Sequence, residues 1–417
     1  MTKENKSVKN FPNSRNVPKL RFPEFNENWI KYNLKEIAEK ANNKNNENKI
    51  AIVFSNSAVQ GIVLQSDYFD KSIANKENLD GYYIVEPFDF VYNPRLSAMA
   101  EVGAMSVNNT NLTGLVSPLY TVFRIKENSI NIPFLEYLFK SKVWHNYMRS
   151  IANYGARDDR MNVRSDDFYN LPLLIPSFSE QKTVSTFLSL IESRIQTQRK
   201  IIEQLETLMK TNREKLFSQK LRFKDEQENY FSDWGLTELK NVCFIIGGGT
   251  PDTQKSELWN GNIQWFTPTE IKSNFVFKSE RTISELGLKN SSAKILPKGS
   301  ILLTTRATIG EVAIAQEECT TNQGFQSLIV KENCNNVFLF HWIKENKFEL
   351  IKRANGSTFP EISKSEIELI KILLPSIKEQ TKIANFLSSI QEKIETEKQI
   401  LEKLELQKKF LLANLFV

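Results

Sequence analysis

Two carboxylates and a lysine in the second half of the chain have residue types suited to metal-dependent hydrolysis. Asp252 follows Pro251, and Glu270 is followed shortly by Lys272. Carboxylates can hold Mg2+, and a nearby ammonium group can position the attacking water. The sequence therefore carries one candidate hydrolytic centre.

The spacing of this candidate centre fits the loose PD…ExK pattern of magnesium-dependent nucleases, which is short and arises often by chance. Lys272 can equally contact a phosphate, and Glu270 can begin a helix. A self-sufficient nuclease using Asp252, Glu270 and Lys272 is thus one alternative. Metal-dependent cleavage by the isolated chain would separate it from the others.

Other catalytic patterns are missing from the sequence. His145 and His341 each stand in a segment with helical apolar spacing, where packing roles are commoner than catalysis, and no cluster of Cys and His has metal-ligand spacing. Residues 298–300 lack the upstream glycine of a phosphate-binding loop. The glycine run 247–249 is interpreted as a turn after a strand, with Pro251 enforcing the bend.

The composition favours a cytoplasmic protein with a polyanionic partner. The net charge of +6 over 417 residues is mildly basic. Three cysteines without a CxxC pair argue against a disulfide framework. No apolar run approaches transmembrane length and no signal peptide is visible, so we expect no membrane contact. Residues 1–17 are polar, and we expect a flexible tail there.

An internal repeat organises the chain. Residues 171–195 and 370–394 share one pattern at a constant offset, with Pro176 matching Pro375. Each copy follows a globular segment and opens a long helix, so the order is globular part, helix, globular part, helix. Within the globular parts, short apolar runs predict strands at 242–246, 301–305 and 312–315. Helical periodicity predicts amphipathic helices over 134–149 and 337–352.

The two long helices have the best-defined pattern. Ser177 with Glu180, and Ser376 with Glu379, form predicted capping boxes. Apolar residues then recur every 3.5 residues on average, which predicts a coiled-coil seam rather than two ordinary core helices. The seam positions are Val184, Leu188, Ile191, Ile195, Gln198, Ile202, Leu205, Ile383, Leu387, Ile390, Ile394, Glu397, Leu401 and Leu404.

Connectivity predicts the orientation of these helices. The first helix ends where the second globular part begins, and the second helix begins where that part ends, so the helices should run antiparallel. The expected fold is therefore α+β: two mixed α/β domains separated by a long antiparallel two-helix coiled coil, with pseudo-two-fold symmetry. Its seam of about 50 Å at 1.5 Å per residue is on the scale of the roughly 34 Å between DNA half-sites.

Two polar residues interrupt the seam at equivalent positions. A polar seam residue usually costs stability but fixes register. Replacing Gln198 and Glu397 with leucine is therefore expected to stabilise the rod and to blur its register. The alternative is that both face solvent or meet a partner subunit.

The second half carries an ordered series of motifs. It contains GGGTP at 247–251, NGNIQWFTP at 260–268, TTRATIG at 304–310, GSTFP at 356–360 and LPS at 374–376. This series resembles the specificity subunit of type I restriction-modification enzymes, and the resemblance extends over residues 18–417.

The resemblance implies a division of labour. Each of two target recognition domains would read one half of a bipartite double-stranded DNA target, while the helices set the spacer and dock two modification subunits. Those subunits would bring S-adenosylmethionine, and motor-nuclease subunits would use ATP and Mg2+. This chain would bind no cofactor, hold no metal and catalyse nothing itself. The implied segments are a tail (1–17), first recognition domain (18–176), first helix (177–218), second recognition domain (219–375) and second helix (376–417).

The first half departs from this motif series. In place of GGGTP and TTRATIG it has VFSN at 53–56, VQGIV at 59–63, YNPR at 92–95 and VSPLY at 116–120. These segments resemble another subclass of recognition domain, which implies an asymmetric target with unlike halves.

Residue chemistry selects the candidate DNA contacts, because Arg, Lys, Asn and Gln read base edges while Lys, Arg, Ser and Thr hold phosphates. In the second domain the candidates are Arg306, Thr308, Lys272, Gln323, Gln326, Ser357 and Thr358. In the first they are Arg95, Gln60, Gln65, Arg157, Arg160 and Arg164, although residues 157–160 equally fit an ion-paired surface turn. A coiled-coil scaffold that binds only proteins is the remaining alternative, and sequence-specific DNA binding would exclude it.

Overall fold

The structure of this chain, a computed structural model, describes residues 16–46, 49–68, 79–153, 159–306, 308–356 and 360–417. The chain divides into two compact units: unit 1 comprises residues 1–199 and 400–417, and unit 2 comprises residues 200–399. Among the described helices, none is long and apolar enough to cross a membrane.

Unit 1 is a mixed α/β structure. Its strands are β1 (Ile30–Asn33), β2 (Ala38–Lys40), β3 (Phe54–Ser57), β4 (Gly61–Leu64), β5 (Tyr83–Val85), β6 (Phe90–Asn93), β7 (Ala104–Val107), β8 (Gly114–Val116), β9 (Thr121–Ile125) and β10 (Pro172–Ile175). Its helices are α1 (Leu34–Ile37), α2 (Gln65–Tyr68), α3 (Ile132–Lys140), α4 (His145–Ile151), α5 (Ser165–Tyr169) and the first part of α6 (Phe178–Phe217).

Unit 2 is built from a similar set of elements. Its strands are β11 (Gly235–Glu238), β12 (Cys243–Gly247), β13 (Trp259–Phe266), β14 (Phe275–Val276), β15 (Arg281–Ile283), β16 (Ile301–Leu303), β17 (Val312–Ala315), β18 (Cys319–Thr321), β19 (Gln326–Val330) and β20 (Lys371–Leu374). Its helices are α7 (Glu285–Lys289), α8 (Asn336–Glu345), α9 (Lys347–Lys352), α10 (Lys364–Glu368) and the first part of α11 (Ile377–Asn414). The rest of α6 belongs to unit 2, and the rest of α11 belongs to unit 1. Short 3-10 turns span Leu239–Asn241, Ser256–Leu258 and Pro268–Glu270.

The main sheets of the two units have the same strand order. In unit 1 the order is β2-β9-β6-β7, with every neighbouring pair antiparallel. In unit 2 it is β12-β19-β16-β17, with β14 added in parallel beside β17. Strands β6 and β16 are thus each the third strand in the order of their sheet. Every residue of β16 and β17 is buried, which explains why these strands read as continuous apolar runs.

Both predicted amphipathic helices are wrong in one respect, because each is broken in two. The first ends at Lys140, since Ser141 adopts an extended ψ of 175°. The indole N–H of Trp144 then donates to the carbonyls of Phe139 and Ser141, at 3.0 and 3.1 Å. In unit 2 the break falls at Asn346, whose side-chain amide donates to the Trp342 carbonyl at 2.9 Å. Polar caps therefore override the apolar periodicity.

Only one of the two hydrogen bonds of each predicted capping box forms, the one accepted by the serine hydroxyl. The backbone N–H of Glu180 donates to Ser177 Oγ at 3.4 Å, and that of Glu379 donates to Ser376 Oγ at 3.3 Å. The glutamate carboxylates turn away from the helix start. Glu180 accepts the indole N–H of Trp29 at 3.2 Å and is 1% exposed. These glutamates therefore fasten the start of each long helix to the globular part before it.

The neighbouring glutamines make a second fastening. The Gln181 side chain accepts the backbone N–H of Asn131, which caps α3, at 2.8 Å, and donates to the Pro176 carbonyl at 2.9 Å. Gln380 makes the same pair of bonds in unit 2, with Asn335 at 2.8 Å and Pro375 at 2.9 Å. The repeated Glu-Gln sequence is thus a buried polar junction between helix and domain.

Candidate nucleic-acid interface

Arg306 lies three residues after the end of β16, an inner strand of the main unit 2 sheet. Its neighbours Thr304 and Thr305 are buried. The backbone N–H of Thr305 donates to the Gly324 carbonyl at 2.8 Å. The Arg306 side chain is 47% exposed, and its Nε lies 2.8 Å from Glu361 Oε1. The buried residues that follow β16 therefore present one exposed guanidinium.

A second loop lies against this arginine. Asn355 and Glu361 exchange backbone hydrogen bonds of 2.9 Å in both directions. The N–H of Ile362 donates to the Thr305 carbonyl at 3.3 Å. Residues 305–306 and 361–362, distant in sequence, thus lie side by side. The predicted contacts Ser357 and Thr358 lie outside the described residues.

The glycine run brings a third loop to the same strand ends. The N–H of Gly249 donates to the Thr321 carbonyl at 2.8 Å. A Cβ on Gly248 would lie 1.9 Å from the Asn322 carbonyl oxygen. None of residues 247–249 has a positive φ, so glycine is needed here for close approach rather than for a left-handed bend. The Thr250 hydroxyl donates to the Gln323 side chain, which joins the glycine loop to residues 321–324.

The remaining unit 2 candidates divide by exposure. Lys272 and Thr308 are exposed, and the N–H of Thr308 donates to the Arg306 carbonyl at 2.6 Å. Gln326 lies within β19 opposite Gly247, and its Oε1 is buried. The structure therefore gathers Arg306, Thr308 and Gln323 around the strand ends, while the Gln326 side-chain oxygen is turned inward.

Unit 1 presents a comparable arginine. Arg95 directly follows Asn93 and Pro94 at the end of β6, and it is exposed. The N–H of Met161 donates to the Pro94 carbonyl at 3.0 Å. Asn153 and Asn162 exchange backbone hydrogen bonds of 2.9 and 3.3 Å around the intervening loop. The arrangement repeats that of unit 2, although the two sequences differ there.

Three of the four motifs peculiar to the first half lie near this strand end. The Asn93 side chain donates to the Asn56 carbonyl at 3.1 Å. Burial raises the pKa of Tyr120, while the nearby charges of Arg95 and Arg160 lower it. The segments VFSN, YNPR and VSPLY therefore lie close together in unit 1. Sequence reasoning missed Asn56, whose side chain donates to two carbonyls of the sheet, at 2.7 and 3.2 Å.

The other unit 1 candidates are more scattered. Arg160 lies 3.8 Å from the Asp159 carboxylate, and Arg164 lies 3.8 Å from that of Asp167. Gln60 is exposed in the β3–β4 turn, and Gln65 begins α2. Arg157 lies outside the described residues. Arg95 and Arg160 stand on bridged backbone positions, so these two form the centre of the unit 1 surface.

The candidate hydrolytic centre gains no support from the structure. Glu270 accepts hydrogen bonds from the N–H and hydroxyl of Thr267, at 2.6 and 2.7 Å, and from the N–H of Glu280 at 2.7 Å. Asp252 accepts the N–H of Gln254 at 3.0 Å. Glu270 thus caps a 3-10 turn, and among the described residues no group of three or more His, Cys, Asp or Glu could hold a metal ion.

The long helices make ion pairs within each unit. In unit 1 Arg199 of α6 lies 2.6 Å from Glu405 of α11. In unit 2 Glu206 of α6 lies 2.6 Å from Lys398 of α11. The predicted seam positions are buried or half-buried: Val184, Leu188, Ile191, Ile195, Gln198, Ile202, Leu205, Ile383, Leu387, Ile390, Ile394, Glu397, Leu401 and Leu404.

Glu192 of α6 connects helix α3 of unit 1 to both long helices. It accepts the hydroxyl of Tyr137, on α3, at 2.6 Å and also pairs with Lys408 of α11 and Lys140 of α3. Burial raises its pKa, but the charge of Lys140 and hydrogen bonds from Lys408 and Tyr137 outweigh burial and lower it to about 2. The carboxylate is therefore ionised and joins three elements.

Large apolar side chains remain exposed on the long helices. Leu190, Leu406 and Phe410 are exposed in unit 1, and Leu208 is exposed in unit 2. Apolar side chains mark a surface that meets another protein where they form one contiguous exposed patch.

Known proteins are similar to this chain, whose two mixed α/β units share one strand order. A model of the type I restriction modification DNA specificity domain matches residues 231–406. The MjaIX specificity subunit of Methanocaldococcus jannaschii is 40% identical over 193 residues, covering 44% of each chain. The putative MjaX specificity subunit of the same organism is 25% identical over 96% of this chain and 95% of its own. The Escherichia coli EcoR124I/EcoR124II specificity subunit is 30% identical over 40% of this chain and 45% of its own.

Solved structures share the fold. A chain from a study of complex assembly and conformational transition in the type I R-M system has a TM-score of 0.60 at 17% identity, covering 92% of this chain and 96% of its own. The S subunit from M. genitalium has a TM-score of 0.55 at 16% identity, covering 96% and 99%. The chain is similar to type I restriction-modification specificity subunits, with the DNA specificity domain matched over residues 231–406. It spans 44% of the MjaIX relative and nearly all of the MjaX relative.

Proposed function

We propose that this chain is the DNA-reading, non-catalytic subunit of a type I restriction-modification complex. Each unit reads one half of a bipartite, asymmetric double-stranded target. The observation that carries this proposal is the equivalent placement of Arg95 and Arg306, which lie two and three residues after the end of an inner strand in sheets of the same order. Arginine is the commonest reader of base edges in the major groove.

The unlike surroundings of the two arginines support an asymmetric target. Arg306 stands beside the carboxylate of Glu361, whereas Arg95 is bridged to another arginine, Arg160. Different donor and acceptor sets match different base edges. We therefore expect two half-sites of unlike sequence.

The long helices are proposed to form an antiparallel coiled coil that sets the spacer between half-sites. The pairs Arg199–Glu405 and Glu206–Lys398 support this arrangement, because the partner's number falls as the residue number rises. The domain limits then follow the segments proposed from the sequence, 18–176 and 219–375 for the recognition domains.

We further propose that two modification subunits dock on the helices and cover Leu190, Leu406, Phe410 and Leu208. Those subunits would bring S-adenosylmethionine, and motor-nuclease subunits would use ATP and Mg2+ in the cytoplasm. The exposed leucines and phenylalanine support docking because burying apolar surface is the main favourable term in most protein association.

The decisive experiment expresses the chain with its companion modification subunits and maps adenine methylation across a genome by long-read sequencing. We expect one bipartite, asymmetric motif with a fixed spacer. Assembled complexes that give random or no methylation would contradict the proposal and favour a protein scaffold. Magnesium-dependent cleavage by the isolated chain would instead favour the nuclease.

A further inference from the structure

Arg306 and Glu361 form a fixed donor and acceptor pair on the surface of unit 2. They stand on directly bridged backbone positions, and Arg306 Nε lies 2.8 Å from Glu361 Oε1. The adjoining residues Thr305 and Ile362 are fully buried, and the N–H of Ile362 donates to the Thr305 carbonyl at 3.3 Å. The backbone beneath the pair is therefore held rigidly, while the two side chains are 47% and 41% exposed.

The chemistry of this pair differs from that of a phosphate contact. A carboxylate beside the guanidinium repels phosphate oxygens, so the pair is poorly suited to the DNA backbone. A guanidinium held at Nε still offers its terminal nitrogens as a donor fork, which matches guanine O6 and N7. The carboxylate can accept a hydrogen bond from the amino group of cytosine N4.

We propose, on the basis of the proposed DNA-reading function, that Arg306 and Glu361 together read a single G·C base pair in the half-site of unit 2. Arg306 donates to guanine O6 and N7. Glu361 orients that guanidinium through Nε and accepts from the N4 amino group of the paired cytosine. Glu361 is thus a specificity-determining residue that the sequence motifs did not reveal.

The proposal is confined to the second half-site. The corresponding bridged positions of unit 1 are Arg95 and Arg160, which supply two cations and no carboxylate. A change at Glu361 should therefore alter one half of the target and leave the other half intact. The unchanged half then serves as an internal control for folding and assembly.

The experiment compares wild type, Glu361→Gln, Arg306→Lys and Glu366→Gln in the complete complex with its modification subunits. Adenine methylation is mapped by long-read sequencing. Arg306→Lys keeps the charge but removes the fork. Glu366 is the matched control, because it pairs with Arg353 at 3.4 Å in the same unit with similar exposure.

The expected result is a single G·C position that becomes degenerate in both Glu361→Gln and Arg306→Lys. Methylation at sites mismatched there should rise by roughly 10-fold relative to matched sites. Glu366→Gln should keep the wild-type motif. If Glu361→Gln abolishes methylation altogether, Glu361→Asp decides, since retained preference for G·C supports the pair and loss of methylation overturns it.

The outcomes also separate the two proposals. A wild-type complex that methylates no bipartite motif defeats the DNA-reading function itself. A wild-type bipartite motif whose affected half has no G·C pair overturns only the role of Arg306 and Glu361. The role of Arg306 and Glu361 is also overturned if the two variants lose base preference at different positions of the target, or if they lower methylation of every site equally.

Discussion

The Arg21 guanidinium donates two hydrogen bonds of 2.7 Å to the Glu180 carboxylate, one from Nε and one from Nη2, and Glu180 is 1% exposed. In unit 2, Arg222 donates to the Glu379 carboxylate in the same way, from Nε at 3.1 Å and from Nη2 at 2.9 Å. Planar bidentate pairing is the strongest common form of charge-assisted hydrogen bond. The same device thus fastens both long helices to their domains.

Truncating one of these glutamates should loosen only its own unit. Glu180→Ala leaves the Arg21 guanidinium and the Trp29 indole N–H without their acceptor, which should cost about 3 kcal/mol. Glu379→Ala should cost a similar amount in unit 2. Hydrogen exchange measured by mass spectrometry will show faster exchange in unit 1 for the first variant and in unit 2 for the second.

The control for this prediction is Glu405→Ala, which removes an exposed ion pair with Arg199. It should change stability by about 0.5 kcal/mol or less. Equal exchange rates in Glu180→Ala and Glu405→Ala would show that the buried junction has no special role.

Gly248→Ala should displace the loop that carries Gln323. The new Cβ would lie 1.9 Å from the Asn322 carbonyl oxygen and 2.5 Å from that of Thr321, so backbone must move at a cost of about 1–3 kcal/mol. Urea denaturation and DNA binding by the assembled complex check this. Gly235→Ala is the matched control, because nothing lies within 4 Å of its added Cβ; equal stability of the two variants would refute the close-approach role.

The sequence predicted the duplicated framework well, because it depends on local patterns. The strands predicted at 242–246 and 312–315 are confirmed as β12 and β17, with ends within one residue. The long helices follow apolar periodicity, which is also local. The broken helices were missed because single polar caps at Ser141 and Asn346 decide where a helix ends.

Long-range pairings could not be predicted. Glu180 and Glu379 were assigned to capping boxes because their serine is near in sequence, while their real partners are arginines far upstream. Glu361 had no motif of its own, and only the fold brings it to Arg306. The likeness of Arg95 and Arg306 was hidden because it lies in strand order, not in sequence.

The polar seam positions lead to a prediction about spacing. Gln198 is 8% exposed and Glu397 is half-buried. Replacing both with leucine should stabilise the helices by adding apolar burial, while removing the polar contacts that specify one register. We expect a higher Tm together with methylation at targets whose spacer differs from the wild-type length. Unchanged spacer preference in the double variant would count against a register role.

The buried imidazole of His341 predicts acid sensitivity in unit 2. His341 is 3% exposed, and its Nδ1 has no hydrogen-bond partner among the described residues. Burial, aided by the charges of Arg213 and Lys344, lowers its pKa from 6.5 to about 3. The unfolded chain therefore binds a proton as the pH falls below 6.5, while the folded chain does not until near pH 3.

The contribution of neutral His341 to the free energy of unfolding should accordingly be fully present above pH 6.5 and should be lost as the pH falls. Once the unfolded imidazole is fully protonated, the loss is about 1.4 kcal/mol per pH unit. His341→Gln cannot titrate, so its free energy of unfolding should fall less steeply with acid than that of wild type. Urea denaturation between pH 5 and 8 measures both slopes. Above pH 7.5 the free energies of unfolding of the two proteins should change with pH in parallel, and parallel slopes at every pH would mean that His341 has the same pKa in the folded and the unfolded chain.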